Sequence, residues 1–490
     1  MAELHLARAA EESFERLGDY GSLWFDGRWL RSAELHERAE RLAGGLRACG
    51  VEPGDRVVVL MANCPEVGIA YEAIWRAGAV VTPAIFLLPP AELAHIVSDS
   101  GATVVLATPE LADNAKEAAE DATVVTTDAF AWLEQADPLP IVPRAAVDAA
   151  ALLYTGGTTG RAKGVLLSHE NLWFAGKAGH DAGHLPEIVR GLLALPLSHA
   201  YGLLVTVVGF HAEEQHPSLL MRWFDPAQCL ELMQEHRTQI TAVVPSMLQL
   251  LLAQPLEDYD LSELRYVVSG GSPLPVDAAE EFLRRVPQVE IREGYGLTET
   301  SALVTSTPPG EARLGSVGKP APGVEVRIDG DDEVGEICVR SRGVMLGYWQ
   351  APELTAEAIR DGWLYTGDLG HLDADGYLHV VDRKKDLIIR GGFNVFPRDV
   401  EEALLEHSAV VAAGVVGRPD DEHGEEVVAF VELRSREEVD VDELVAWSKE
   451  RIGGYKYPRE VHVLASLPLT PVGKIDRKAL RTRVLQEATA

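Results

Sequence analysis

The sequence is short of the residues that would place it in several large classes. Its 490 residues include only four cysteines, Cys49, Cys64, Cys229 and Cys338. They lie far apart and form no C-x-x-C pair, which argues against a disulfide framework or a cysteine zinc site and for thiols in a reducing compartment. Basic residues are also scarce: 44 Lys and Arg stand against 76 Asp and Glu, a formal charge of −32. Nucleic-acid binding needs a basic footprint, so this balance argues against it, and a phosphate-bearing ligand must meet a local basic patch. Long apolar runs are missing, so no membrane span is expected. The opening "MAELHLARAAEESFERLGDYG" is acidic from its third position and has no apolar h-region; it does not read as a signal peptide, and a cytoplasmic location is expected.

What is present is an ordinary globular balance, 47% hydrophobic and 24% charged, on a chain too long for one core. Between residues 55 and 126 short apolar runs ("DRVVVLMA", "AVVTPAI", "ATVVLA", "ATVVTT") alternate with amphipathic helical segments ("PEVGIAYEAIWRAG", "PAELAHIVSDSG"). That alternation predicts parallel strands with helices on the faces. "EQADPLPIVPR" (134–144) reads as a linker within the large domain. A second series follows at "RGLLALPL", "QITAVVP", "LRYVVSGG" and a helix over 276–285. From about 311, short strands with Gly, Pro and Asp turns predict a small antiparallel or barrel-like unit. After "VDRKKDLIIRGG" the remainder has the α+β texture and size of a small domain. The expected fold is therefore α/β: a large N-terminal domain of helix-flanked sheets plus a barrel-like unit over 1–384, then a small α+β C-terminal domain over 385–490.

Four stretches carry chemistry. "LYTGGTTGRAKG" (153–164) has glycines that let backbone N–H groups converge on an anion, hydroxyls that add donors, and Lys163 for charge. It departs from G-x-x-x-x-G-K-[ST], because Arg161 and Ala162 separate Gly160 from the lysine and Gly164 follows it. Ser168 after it suits a helix N-cap. In "REGYGLTET" (292–300), Tyr295 and Gly296 can wall a planar base, Glu299 is a hard oxygen ligand suited to Mg²⁺, and Thr298 is a hydroxyl donor. In "WLYTGDLGHLDADGYLHVVDRKKD" (363–386), Asp368 is expected at a loop tip where it can accept two ribose hydroxyls, with Arg383 a strand away. In "LPLTPVGKIDRKAL" (467–480), Lys474 is one cation on a stiff loop before a helix. Taken singly, each stretch is equally well an ordinary turn, hairpin or solvated lysine.

Together and in this order they resemble the signature motifs of the adenylate-forming superfamily: acyl- and aryl-CoA synthetases, peptide-synthetase adenylation domains and beetle luciferases. "YTGGTTGRAKGV", "GYGLTET", "YTGDLG", "DRKKDLIIRGGFNVFPRDVEEAL" and "PVGKIDRKAL" carry the resemblance, which runs from about residue 20 to 481. It implies an enzyme in which a carboxylate attacks the α-phosphorus of ATP, with Mg²⁺, to give acyl-AMP and pyrophosphate. A thiol, of CoA or of a carrier protein's phosphopantetheine, then displaces AMP. By this resemblance Thr155, Gly156, Gly157, Thr158, Thr159, Gly160 and Lys163 grip the β- and γ-phosphates. Thr298 bonds the α-phosphate and Glu299 holds Mg²⁺. Tyr295 and Gly296 lie against adenine, with Gly270, Gly271 and Ser272 on the other side. Asp368 takes the ribose hydroxyls with Arg383 nearby, and Lys474 bridges the carboxylate and α-phosphate. Lys385 is the hinge of a mobile C-terminal domain, and Gly391 and Gly392 line the pantetheine tunnel.

The resemblance also bears on the acid. His199 of "LPLSHAYGL" is the residue beside the acyl group, with Ser246, Gly270 and Gly294 completing the pocket. "VVPSMLQLLL" holds no Arg, which disfavours a malonate-type diacid, and "LPLSHAYGL" holds no Asp, which disfavours an α-amino acid. A medium-chain fatty acid and a substituted benzoate or cinnamate both fit, the two glycines 270 and 271 leaving room. "GGYKYPRE" resembles stand-alone CoA ligases, and no carrier domain follows, so CoA is the favoured acceptor. A discrete carrier protein is the alternative, as is an adenylate diverted to an unusual nucleophile in secondary metabolism. A monomer or homodimer is expected.

Overall fold

The apolar runs between residues 55 and 126 form the strands Arg56–Leu60, Val80–Pro83, Val104–Ala107 and Thr123–Thr126, all mutually parallel in one sheet. In this computed structural model, which describes residues 4–119, 121–155, 162–330, 333–420, 422–434, 439–452, 454–470 and 474–487, the chain divides into two compact units. The first comprises residues 1–326, 339–365 and 374–378, and the second 327–338, 366–373 and 379–490.

Two sheets dominate the first unit. The seven-stranded sheet adds Ala149–Thr155, its antiparallel partner Lys163–Ser168, and the short strand Gly347–Tyr348 to the four above. The nine-stranded sheet has Glu290–Tyr295, Tyr266–Ser269, Ile240–Val243, Gly191–Leu193, Ser218–Leu220 and Gly21–Phe25 side by side and parallel. Its edges are finished by antiparallel pieces, including the Arg28–Arg31 strand of an N-terminal hairpin. That hairpin and the Lys163–Ser168 strand were not legible as strands, because neither alternates or forms a long apolar run. Helices cover the sheet faces. Pro65–Arg76 buries Tyr71, Ile74 and Trp75 completely, and Val276–Arg285 begins and ends where the sequence indicates. The proline-rich 134–144 segment is a strap fixed to the helices: Leu139 N donates to Glu40 O at 3.0 Å and Val142 N to Arg76 O at 2.9 Å.

A third, five-stranded sheet contains Glu325–Asp329, Gly335–Arg340, Trp363–Leu372, Ile359–Arg360 and Leu378–Arg383, the barrel-like piece expected after residue 311. The second unit is built on another five-stranded sheet. Val410–Asp420 and Gly424–Leu433 form its long antiparallel pair, Glu460–Leu464 runs parallel to the latter, and Ile388–Arg390 with Phe393–Val395 makes a hairpin. Helices Pro397–Leu405, Val441–Arg451 and Arg477–Glu487 belong to this unit, as the α+β pattern predicts.

Asn63 joins the two sheets of the first unit. Only 2% exposed, it follows the Arg56–Leu60 strand, donates to Leu195 O at 2.9 Å and Met221 O at 3.1 Å, and accepts from Leu197 N at 2.9 Å. These partners lie just past the ends of Gly191–Leu193 and Ser218–Leu220 in the other sheet. Leaving three buried backbone groups unpaired costs a few kcal/mol. Asn63→Ala is therefore expected to destabilise the first unit by about 2–3 kcal/mol, read as a lower urea midpoint of its unfolding transition.

Candidate active site

In open parallel sheets, ligands bind outside the carboxyl ends of the strands. The expected site residues of the first unit lie at such ends. His199 follows Gly191–Leu193, and Ser246 follows Ile240–Val243. Gly270, Gly271 and Ser272 follow Tyr266–Ser269, and Gly294 and Tyr295 close Glu290–Tyr295. Thr298 and Glu299 occupy the 3₁₀ turn immediately after that strand. All these strands are parallel neighbours, so these residues share one edge of the nine-stranded sheet. Thr155 ends its own parallel strand in the other sheet.

The glycine-rich stretch joins the antiparallel strands Ala149–Thr155 and Lys163–Ser168, with Thr155 and Lys163 as the last cross-strand pair. Gly156, Gly157, Thr158, Thr159, Gly160 and Arg161 lie outside the described residues. Lys163 thus opens a strand, whereas the lysine of G-x-x-x-x-G-K-[ST] sits at a helix start, which accounts for the different spacing. Ser168 does cap the next helix, in a reciprocal box: Asn171 N donates to its Oγ at 3.1 Å and Ser168 N to Asn171 Oδ1 at 2.8 Å.

Tyr348, not singled out in the sequence, connects the two expected phosphate-side groups. The Lys163 ammonium lies over its ring, 5.4 Å from the centroid, and its hydroxyl donates to Glu299 Oε1 at 2.9 Å. The strand containing Tyr348 pairs with that of Lys163, Tyr348 opposite Val165, and Met345 N donates to Glu299 O at 2.9 Å. Burial, then the Glu299 charge, pushes the Tyr348 hydroxyl well above its usual range, so it stays a donor. A tyrosine in "GVMLGYWQ" carries no sequence signal of this role; the pairing of its strand is what exposes it.

Where the acid is expected, His199 caps the helix Ala200–Gly209, its Nδ1 accepting from Tyr201 N at 3.2 Å. Tyr71, fully buried, donates to Leu197 O at 3.0 Å, so Asn63 and Tyr71 together fix the segment ahead of His199. A β-carbon at Gly270 would meet the Tyr201 ring and the Gly294 carbonyl, each at 3.4 Å, which is ordinary contact. Gly271 has φ +84°, a conformation that favours glycine. Ser246 is exposed on the first turn of Pro245–Leu252. At Gly296 a β-carbon would lie 2.2 Å from Ala302 O, so backbone packs directly on backbone beside Tyr295.

The second unit gathers the remaining charges. Asp368 is 5% exposed and lies within the Trp363–Leu372 strand, which corrects the expectation of a loop tip: Gly367, at φ +74°, bends the chain without ending the strand. Arg383 Nε lies 3.2 Å from Asp368 Oδ1. Both act on Lys474, whose ammonium is pushed down to about 8 by burial and the Arg383 charge, against the opposing pull of Asp368. The same two charges reach Lys385, lowered chiefly by burial. Lys474 itself stands beside a two-stranded bridge between Leu469 and Ile475, with Thr470 N donating to its carbonyl at 2.7 Å. Three residues on, Arg477 meets Glu401 Oε2 at 2.6 Å, Asp382 Oδ1 at 3.4 Å and Asp386 Oδ2 at 3.5 Å. Gly391 (φ +56°) and Gly392 (φ +81°) form the two-residue turn of the hairpin closed by Arg390 and Phe393, the geometry that a I′ turn demands.

Against this geometry, a family model described as "AMP-binding enzyme" matches residues 10–349, and one described as "AMP-binding enzyme C-terminal domain" matches 399–474. The chain belongs to the AMP-binding enzyme family, within the adenylate-forming superfamily. This AMP-binding enzyme is 39% identical to a feruloyl-CoA synthase of Amycolatopsis sp over 471 residues, 93% of this chain and 94% of that protein. It is 33% identical to a long-chain-fatty-acid–CoA ligase of Bacillus subtilis (strain 168), over 98% of this chain and 93% of that protein. The solved structure of ATP-bound MatB from Rhodopseudomonas palustris superposes with TM-score 0.90 at 31% identity, covering 98% of this chain and 99% of that one. The protein is an AMP-forming acid–thiol ligase with acyl- or aryl-CoA ligase activity. No helix among the described residues is long and apolar enough to cross a membrane.

Magnesium fits the donor set near Lys163. Mg²⁺ is usually held by one or two carboxylates plus substrate phosphates, and Glu299 is a carboxylate oriented by Tyr348. Removing that charge-assisted hydrogen bond should cost about 1.5–3 kcal/mol. Tyr348→Phe is therefore expected to raise the KM for ATP by about tenfold or more in acid-dependent pyrophosphate release, with the folded midpoint little changed.

Proposed function

We propose that this ligase activates a medium-chain fatty or aryl carboxylic acid and transfers the acyl group to CoA. In the first half-reaction a carboxylate oxygen attacks the α-phosphorus of ATP. The bond to the bridging oxygen breaks, and acyl-AMP and pyrophosphate result. In the second, the CoA sulfur attacks the acyl carbon, the thiol proton is lost, and AMP leaves. A carboxylate is a poor electrophile, and the adenylate supplies its leaving group.

In this reading Thr155 and Lys163, with Gly156, Gly157, Thr158, Thr159 and Gly160, hold the β- and γ-phosphates as a leaving group. Tyr348 keeps Glu299 turned to the same end, where Mg²⁺ would supply charge neutralisation. Thr298 bonds the α-phosphate, and Tyr295, Gly296, Gly270, Gly271 and Ser272 enclose the base. Asp368 accepts from the ribose hydroxyls with Arg383 beside it. Lys474 stabilises the charge developing between acid and α-phosphate. His199, Ser246, Gly270 and Gly294 line the acid pocket. Residues 385–490 move as a domain about Lys385 between the half-reactions, and Gly391 and Gly392 then border the pantetheine path. The observation that most supports an ATP-dependent reaction is the Lys163–Tyr348–Glu299 link, which fixes a cation and a carboxylate on one side chain. The named relatives, one for an aryl acid and one for a long-chain fatty acid, support both acid classes and separate neither.

Lys474→Ala should abolish acid-dependent pyrophosphate release yet leave thioester formation from supplied acyl-AMP; loss of neither, or of both equally, overturns the role given to Lys474. Screening fatty, aryl and amino acids with and without CoA, with mass analysis of the products, tests the substrate class and the acceptor. An amino acid as best substrate, or AMP release indifferent to CoA, would refute the proposal.

The lowered Lys474 gives a pH signature. Because the role needs the ammonium form, kcat/KM for ATP, which reports the free enzyme, should fall as pH rises through about 8. Lys474→Arg, charged throughout, should lack that limb.

A further inference from the structure

The helix Pro90–Ser100 stands outside the candidate site yet bonds to three segments that carry it. Leu93, Ile96 and Val97 are buried in a core shared with Val58 and Val105 of the seven-stranded sheet. His95 and Asp99, one turn apart and so on one face, are half-buried. The end of the helix is fixed to the same sheet by Arg56, whose Nε donates to Ser100 O at 2.6 Å and whose Nη2 donates to Gly101 O at 3.1 Å.

Each of the three segments meets this helix one residue away from a group expected at the phosphates. Tyr154, just ahead of Thr155, donates its hydroxyl to Asp99 Oδ2 at 2.6 Å. Ala162, just ahead of Lys163, accepts at its carbonyl from His95 Nε2 at 3.0 Å. A carbonyl oxygen only accepts, so that ring nitrogen carries a proton. Trp349, just after Tyr348, donates Nε1–H to Asp99 O at 3.0 Å. The Tyr154 ring also stands edge-on to His95, centroids 6.1 Å apart. Burial, then the Asp99 hydrogen bond, pushes the Tyr154 hydroxyl well above its usual range, so it stays a donor.

A stretch of glycines and small hydroxyl residues brings little side chain with which to fix its own course. Its two ends must then be held from outside, because a binding site is precise only where a supporting shell locks it. Tyr154 and Ala162 are those ends, and a single turn of helix holds both. A hydroxyl bonded to a carboxylate is among the stronger hydrogen bonds, and the imidazole contact is directional.

We propose that His95 and Asp99 are positioning residues for the ATP phosphates, a role that rests on the reading that Thr155 and Lys163 hold those phosphates. Acting through Ala162 and Tyr154, they keep Thr155 and Lys163 at a fixed separation and in register with the Tyr348–Glu299 contact.

The test measures binding of ATP–Mg²⁺ and of AMP to the full chain by calorimetry, with no acid present. AMP lacks the β- and γ-phosphates, so a general loss of structure weakens both ligands, whereas a misplaced phosphate grip weakens ATP alone. His95→Ala and Tyr154→Phe should each weaken ATP–Mg²⁺ about five- to tenfold while AMP changes by less than about twofold. His95→Gln keeps a donor and Asp99→Asn an acceptor, so both should bind ATP–Mg²⁺ within about threefold of wild type. Tyr154→Phe carries the comparison if His95→Ala folds poorly. Lys163→Ala, measured alongside, should also lose ATP selectively. If it does, and His95→Ala and Tyr154→Phe weaken ATP and AMP alike or weaken neither, the proposal is overturned and the phosphate reading stands. If Lys163→Ala itself weakens both ligands alike or neither, the phosphate reading falls and the proposal with it.

Discussion

Everything at the head of the nine-stranded sheet depends on how its loops are anchored, and Asn63 is the anchor. A parallel sheet leaves the loops at its carboxyl edge with backbone groups that no strand satisfies. One buried amide, projecting from just beyond a strand of the other sheet, pairs three of them at once, at residues 195, 197 and 221. The segment containing His199 is therefore shaped by a residue more than a hundred positions earlier. Tyr71 adds a fourth contact to the same stretch from the helix that follows Asn63. The packing of one sheet's helix thus becomes the geometry of the other sheet's loop.

Tyr348 does for charge what Asn63 does for backbone. Its ring accepts the Lys163 ammonium and its hydroxyl donates to Glu299, so cation and anion meet one rigid side chain instead of neutralising each other as an ion pair. Each keeps bonding capacity for something else. The surrounding hydrogen bonds, Trp349 N to Gly164 O at 2.7 Å and Met345 N to Glu299 O, hold the tyrosine's own segment in place on both sides. For a ligase that must bind a highly charged nucleotide in a protein of strongly negative net charge, a lysine that no acid among the described residues pairs with keeps its charge for the ligand.

Much of this was legible in the sequence because local chemistry dictates it. The parallel strands between 56 and 126, the helix Val276–Arg285 and the Ser168 cap follow from periodicity and capping residues. The family follows from five ordered motifs. What was illegible is whatever long-range pairing decides. Lys163–Ser168 is a strand because Ala149–Thr155 and Gly347–Tyr348 flank it, not because it alternates. Asp368 is a buried strand residue because a neighbouring glycine bends the chain without breaking the ladder. Asn63 and Tyr348 are common residue types in unremarkable contexts, and only their distant partners give them meaning.

Arg477 has a mechanical consequence. Its guanidinium joins the start of the last helix to Asp382 and Asp386 in the charged turn and to Glu401 on another helix. Lys474 stands three residues upstream on that same anchored piece. The lysine and the turn that holds Lys385 are consequently tied through one guanidinium, which passes a shift of the backbone at residues 382–386 to the start of the helix beside the ammonium.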